Sequence, residues 1–195
     1  MNLYHTLKTL PLDSLERISN PEIRDVFTPD TPALRVVTDF RHTEPVQLSQ
    51  EMDLDEAMTL LRKMHVRSGL VINESGVFKG LVTVADLVSR QVLSIATSQG
   101  LKRSDLTVRD LMIPKHKLSG VSLQALSHSS IGDLLKTLKQ GGSQYMLVLD
   151  AEAETICGII SASDIARKLK IPVDISQRAT SFREIVEIIN GTVQH

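Results

Sequence analysis

The strongest constraint on this chain is that a large part of it is written twice. The segment DLDEAMTLLRKMHVRSGLVINESGVFKGLVTVADL, starting at Asp53, matches SIGDLLKTLKQGGSQYMLVLDAEAETICGIISASDI, starting at Ser130, at an offset of 77 residues that becomes 78 after a turn. A unit of this size with helices on one face cannot bury both faces of its sheet alone, whereas two copies packed together can. Among 195 residues, that points to one module, or two small domains sharing a core.

Each copy opens with an amphipathic helix. Leu54, Ala57, Met58 and Leu61 share one face, and Ile131, Leu134, Leu135 and Leu138 repeat the spacing. Asp53 with Glu56, and Ser130 with Asp133, form capping pairs, and Gly141-Gly142 marks the second helix's end. Apolar runs at 70–73 and 146–150 lead through the turns ESG and AEAE into VFKGLVT and TICGIIS, which reads as a hairpin in each copy. PVQLS (45–49) and VSLQAL (121–126) supply a β-like piece upstream of each helix. The predicted class is therefore α/β (α+β), two tandem β-α-β-β-α motifs packed about a pseudo-two-fold axis. A parallel pair lies across each first helix and an antiparallel pair at each hairpin.

The first closing helix is expected from Val84 to Gln99, stopping at Gly100, with Leu87, Val88, Gln91, Val92 and Ile95 on one stripe. The second starts near Ala162 and is cut short by Pro172. Expected boundaries are an N-terminal extension over 1–32 that wraps over the core, the two motifs over 33–100 and 101–172, and a C-terminal extension over 173–195. That last segment carries a short helix at 181–190, opened by Ser181-x-x-Glu184.

The two strand-to-helix junctions read GLVTVADL and GIISASDI, matching Gly80 with Gly158, Thr83 with Ser161 and Asp86 with Asp164. Two readings of S/T-x-x-D stand side by side. Hydroxyl and carboxylate cap the helix, or they hold a ligand where strand ends and helix N-termini meet. A carboxylate there suits vicinal hydroxyls such as a ribose diol.

The remaining composition excludes more than it offers. A net charge of −1 and a pI near 6.6 give no basic field for nucleic acid, and no Trp with only two Tyr and four Phe leaves few stacking platforms. No apolar stretch reaches the roughly 18–20 residues of a membrane span, and no secretory leader is evident, so a cytoplasmic location is expected. The lone Cys157 lies in an apolar run, the six histidines share no metal-ligand spacing, and no nucleophile, P-loop or zincin motif occurs. No catalytic or metal site is expected.

Tandem copies each closing in G-h-h-S/T-x-x-D-h resemble a pair of CBS domains, the Bateman module. LTVRDLMIP at 106–114 is similar to that family's lead-in. The resemblance implies a non-enzymatic regulatory module that binds AMP, ATP, NAD or S-adenosylmethionine between the copies and needs no cofactor. By position, Asp86 and Asp164 would take ribose hydroxyls, with Thr83 and Ser161 near phosphate. Adenine would rest on residues around Val46 and Leu48, Leu123 and Ala125, Gly69 and Leu70, and Tyr145 and Met146. Lys79, Arg90, Arg167 and Lys168 are either phosphate contacts or solvated charges. Two departures touch the adenine end: Leu70 and Leu147 stand where many relatives have proline, and ALRVVTDF lacks the Met-x-Pro ending. The resemblance further implies a homodimer and a separate effector protein. The alternative is a structural or interaction module whose S/T-x-x-D boxes are caps alone.

Overall fold

The computed structural model describes residues 6–9, 11–12, 17–19 and 26–170, so the helix expected at 181–190 lies outside the described residues. In chain order the elements are β1 (Thr38–Asp39), β2 (Gln47–Ser49), α1 (Leu54–Lys63), β3 (Ser68–Ile72), β4 (Phe78–Thr83), α2 (Val84–Leu87) and α3 (Arg90–Gln99). They continue with α4 (Val108–Leu111), β5 (Ile113–Pro114), β6 (Ser119–Ser122), α5 (Leu123–Ser127), α6 (Ile131–Gly141), β7 (Tyr145–Asp150), β8 (Thr155–Ser161) and α7 (Ala162–Lys168).

Each copy has the β-α-β-β-α order. The strands β2 and β3 are parallel, as are β6 and β7, while β3–β4 and β7–β8 are antiparallel hairpins. The repetition extends to irregularities, since both hairpins carry a bulge, after Val71 and after Val148. It also extends to the turns: Asn73 Oδ1 accepts from the backbone N–H groups of Ser75 and Val77, and Asp150 Oδ1 from those of Glu152 and Ala153.

The sheet edges are exchanged between the copies. Strand β5, leading into the second copy, pairs antiparallel with β4 of the first, and β1, leading into the first, pairs with β8 of the second. The sheet orders are β1-β8-β7-β6 and β2-β3-β4-β5. This crossing accounts for the glycines of both junctions. A Cβ on Gly80 would stand 2.3 Å from the Ile113 carbonyl oxygen, and one on Gly158 would stand 2.9 Å from that of Thr38.

Strand alternation divides the apolar side chains among three clusters. Val71 and Val82 point into the first copy's core with Leu48, Leu54 and Leu61, and Val148 and Ile160 into the second's with Ile131, Leu138 and Ile165. On the opposite faces Leu70 and Leu81 meet Leu147 and Ile159 in a cluster that joins the copies. Leu70 and Leu147 therefore supply two of the four buried side chains of that joint. Burying each such side chain contributes about 1.5–3 kcal/mol before the cost of ordering it. Ahead of β1, Phe27 lies against the second copy's core, and the Pro29 and Thr31 carbonyls accept from the N–H groups of Gly132 and Ile131.

Two expectations are corrected. VSLQAL is not one strand, because β6 ends at Ser122 and Leu123–Ser127 form α5. Gln47 pairs with Leu70 and Gly120 with Leu147, so the first strands are offset by 73 residues rather than 77. The four additional residues of the second copy coil into α5, started by Ser122 Oγ accepting from the Ala125 N–H. Nor is 84–99 one helix. It breaks after Leu87, where Ser89 Oγ donates to the Asp86 carbonyl and competes with the backbone ladder. Val88 is 59% exposed in consequence, and Val92 and Ala96 carry the buried face of α3. The first helix ends without glycine, with His65 taking the left-handed conformation at φ 53°.

Candidate functional site

The two junctions share a backbone and differ in their side chains. Thr83 and Ser161 have similar N-cap dihedrals, φ −119° and −117°. At the first junction Asp86 Oδ2 accepts from the Thr83 N–H (2.9 Å) and from its hydroxyl (2.7 Å), while Thr83 Oγ1 accepts from the Asp86 N–H at 3.1 Å. That is a complete capping box, and Thr83 is buried within it.

The second junction makes no side-chain cap. Ser161 Oγ bonds to the Ser163 hydroxyl at 2.8 Å, and the Asp164 carboxylate accepts from Arg167 Nη2 at 2.6 Å. The corresponding residues of the first copy are Ala85 and Ser89, which supply neither competitor. A serine two positions on draws the hydroxyl away, and an arginine one turn on draws the carboxylate away.

Ser161, Asp164 and Arg167 open onto a cleft of about 220 Å³ between the copies. The first copy contributes Val46, Gly69 and Leu70 to its wall, along with His65, Arg67 and Ser68 on the approach to and start of β3. Thr38 and Phe40 add the exchanged edge, with Glu44 beyond it, and Leu81 and Ile159 form the apolar floor. The site therefore combines an apolar base with a few convergent polar groups, as small-molecule sites do. Its hydroxyls, carboxylate and guanidiniums can receive a polyol and an anion together.

Tyr145 stands between the two junctions. It pairs with Ser161 across β7 and β8, lines the cleft and packs on the joint between the copies. Burial pushes its hydroxyl up to about 12; the nearby Asp86 and Asp164 carboxylates add to this, and Arg67 and Thr83 oppose it. The corresponding residue of the first copy is Ser68, so the pseudo-symmetry is broken at the centre of the molecule.

The cleft thus brings together Ser161, Asp164, Arg167, Val46, Gly69, Leu70 and Tyr145 among the residues expected to form sites. Thr83 and Asp86 do not line it. Leu48 and Met146 point the other way along their strands, into the cores. Leu123 and Ala125 sit on α5, a consequence of the corrected strand end. Lys79 lies at the β4 bulge and Arg90 at the exposed start of α3. Lys168 donates to the Arg35 carbonyl at 2.5 Å, and it and Arg35 stack on the Phe27 ring. The sequence reading missed Thr38, Phe40, Glu44, His65 and Arg67. Only the edge exchange and the end of α1 place them here, and no repeat marks them.

Among the described residues no group of three His, Cys, Asp or Glu side chains is placed to hold a metal ion. Burial also pushes the Cys157 thiol up, away from the thiolate a nucleophile needs. No described helix is long and apolar enough to cross a membrane.

Two β-α-β-β-α units that exchange edge strands and enclose a cleft beside a strand-to-helix junction define a class of paired repeat modules. The CBS domain family matches residues 36–92 and again 108–171, more than half of the chain, and the chain belongs to that family. CBS domains are regulatory, non-catalytic modules. No curated protein matches the chain. Among solved structures it is similar to an uncharacterized conserved protein from Pyrococcus horikoshii, at 20% identity and a TM-score of 0.54, covering 76% of this chain and 98% of that one. It is also similar to the CBS domain of a bacterial CNNM/CorC family Mg2+ transporter in complex with ATP. That likeness has 20% identity and a TM-score of 0.50, and covers 73% of this chain and 89% of that one.

Proposed function

We propose that this protein is a regulatory sensor binding an adenosine-containing ligand in the cleft at Ser161 and Asp164. The observation that carries the reading is the uncapped second junction, whose hydroxyl and carboxylate line a cleft built from both copies. Asp164 would hold the ribose diol, Ser161 and Arg167 the phosphate end, and Val46, Gly69, Leu70 and Tyr145 the adenine. A solved CBS domain with ATP bound supports the ligand class.

Because both copies line the cleft, a ligand there would bias their relative arrangement by its differential affinity for two arrangements. The output would pass through a homodimer or to a separate effector protein, in the cytoplasm.

A second reading is favoured by the first junction. Its closed capping box is what a structural or interaction module would display, and the Thr83–Asp86 half of the molecule is assigned to that role.

The test is a thermal-shift panel of AMP, ADP, ATP, NAD and S-adenosylmethionine, with GTP as control. A ligand at about 100 times its Kd adds roughly 2.7 kcal/mol, about 5–10 °C for a chain of this length. A rise with an adenine compound and none with GTP is expected. A flat panel would transfer the second junction, too, to the structural reading.

A further inference from the structure

Carrying the open cleft onto the first junction by the pseudo-two-fold axis shows what stands in its place there. Beside Ser161, the strand contributed by the other copy begins at Ser68, and both residues line the cleft. The same operation sets Tyr145 opposite Thr83, because Ser68 pairs with Thr83 and Tyr145 with Ser161 at equivalent places in the two hairpins. One position carries a hydroxymethyl group and the other a phenol ring. The ring packs on the joint between the copies and its hydroxyl reaches the Thr83 side chain. Thr83 is 3% exposed in consequence, whereas Ser161 is half-buried. The capping box does not account for the closure. It engages only Oδ2 of Asp86, and among the described residues the other carboxylate oxygen accepts no hydrogen bond, so the acid keeps acceptor capacity for a ligand. The floor is common to both positions, since Leu81 and Ile159 correspond under the axis and are both buried in the joint.

We infer that Tyr145 limits the chain to one ligand, by filling at the first junction the space that Ser68 leaves open at the second. The inference rests on the proposed binding reading and adds to it the number of sites and the residue that sets that number. Replacing the ring by a serine makes the two positions alike and leaves a void beside the Thr83 hydroxyl and the Asp86 carboxylate. A void lined by such polar groups can admit a polar ligand, where an apolar one would stay dry. Tyr145 lines the working cleft as well, so its removal opens one site and weakens the other.

Calorimetric titration of the full chain with AMP, and with ATP where AMP is silent, counts the sites. Wild type should bind one nucleotide per chain and Tyr145→Ser two. In that variant, adding Asp164→Asn should remove the original event and adding Asp86→Asn the new one. The original event should weaken about tenfold on losing the ring. Tyr145→Phe keeps the ring and should keep a single site. The converse change, Ser68→Tyr, puts a ring into the open cleft and should weaken binding about 10- to 100-fold. One nucleotide per chain in a folded Tyr145→Ser, or two in wild type, would overturn the inference while leaving the binding reading standing. If Tyr145→Ser shows no cooperative thermal unfolding, Ser68→Tyr gives the answer. Undiminished binding there would overturn the inference, because a ring at that place would then exclude nothing. Absence of AMP and ATP binding to wild type would remove the binding reading and the inference together.

Discussion

Thr83-Val-Ala-Asp86 and Ser161-Ala-Ser-Asp164 occupy the same place in two copies of one fold, on nearly the same backbone. In the first, the hydroxyl, one carboxylate oxygen and both N–H groups bond to one another. In the second, the hydroxyl turns to Ser163 and the carboxylate to Arg167, and both stay on the wall of a cleft. The residues that differ are not those that define the motif. Ala85 against Ser163, and Ser89 against Arg167, decide whether the hydroxyl and carboxylate cap their own helix or turn to neighbouring side chains. A duplicated motif therefore need not be a duplicated site.

The comparison can be broken first at the glycines. The exchanged strand passes closer to Gly80 than to Gly158, and in each case the obstacle is backbone. Gly80→Ala should cost about 3 kcal/mol and Gly158→Ala about 1–2 kcal/mol, read from urea midpoints. Equal, small losses would show that the two edges are not held as described.

Tyr145 gives the next largest effect, at high pH. The folded protein holds its hydroxyl protonated up to about 12, whereas the unfolded chain releases the proton near 10. Its contribution, on the order of 2 kcal/mol, is therefore whole below about pH 10 and is lost as pH rises through about 12. Wild type should lose that much more stability than Tyr145→Phe between those limits. One tyrosine should also remain un-ionised by ultraviolet absorbance at pH 11. Complete ionisation by pH 11 would mean that Tyr145 does not sit half-buried between the junctions.

The smallest effect separates the two carboxylates directly. Asp86→Asn should lower stability by about 1 kcal/mol and leave AMP affinity alone. Asp164→Asn, which gives up only an ion pair with an exposed arginine, should change stability by less than about 0.5 kcal/mol and weaken AMP roughly 10- to 100-fold. The reverse pattern would move the ligand to the first junction.

Much of this was legible from local pattern. The helix faces repeat at a spacing that only a helix satisfies, and the hairpins follow from paired apolar runs across short turns. Ser161 and Asp164 were nameable because the repeat pointed at them, and Arg167 because the resemblance implied a cation near a phosphate. The break after Leu87 was less visible, since a serine hydroxyl competing for one carbonyl leaves the apolar periodicity intact. The five residues of α5 were hidden because LQAL continues the apolar character of the strand before it.

What the sequence alone determined is the repeat, the β-α-β-β-α order within each copy and the two candidate junctions, because caps, turns and amphipathic spacing act over a few residues. Only the tertiary structure decided which junction opens onto a cleft, since the wall of that cleft is built from both copies. Asp39 beside Gly158, and Pro114 beside Gly80, are pairings between distant segments that no local periodicity encodes. They bring Thr38 and Phe40 to the cleft of the second copy, where the packing of one repeat on the other places His65 and Arg67 as well.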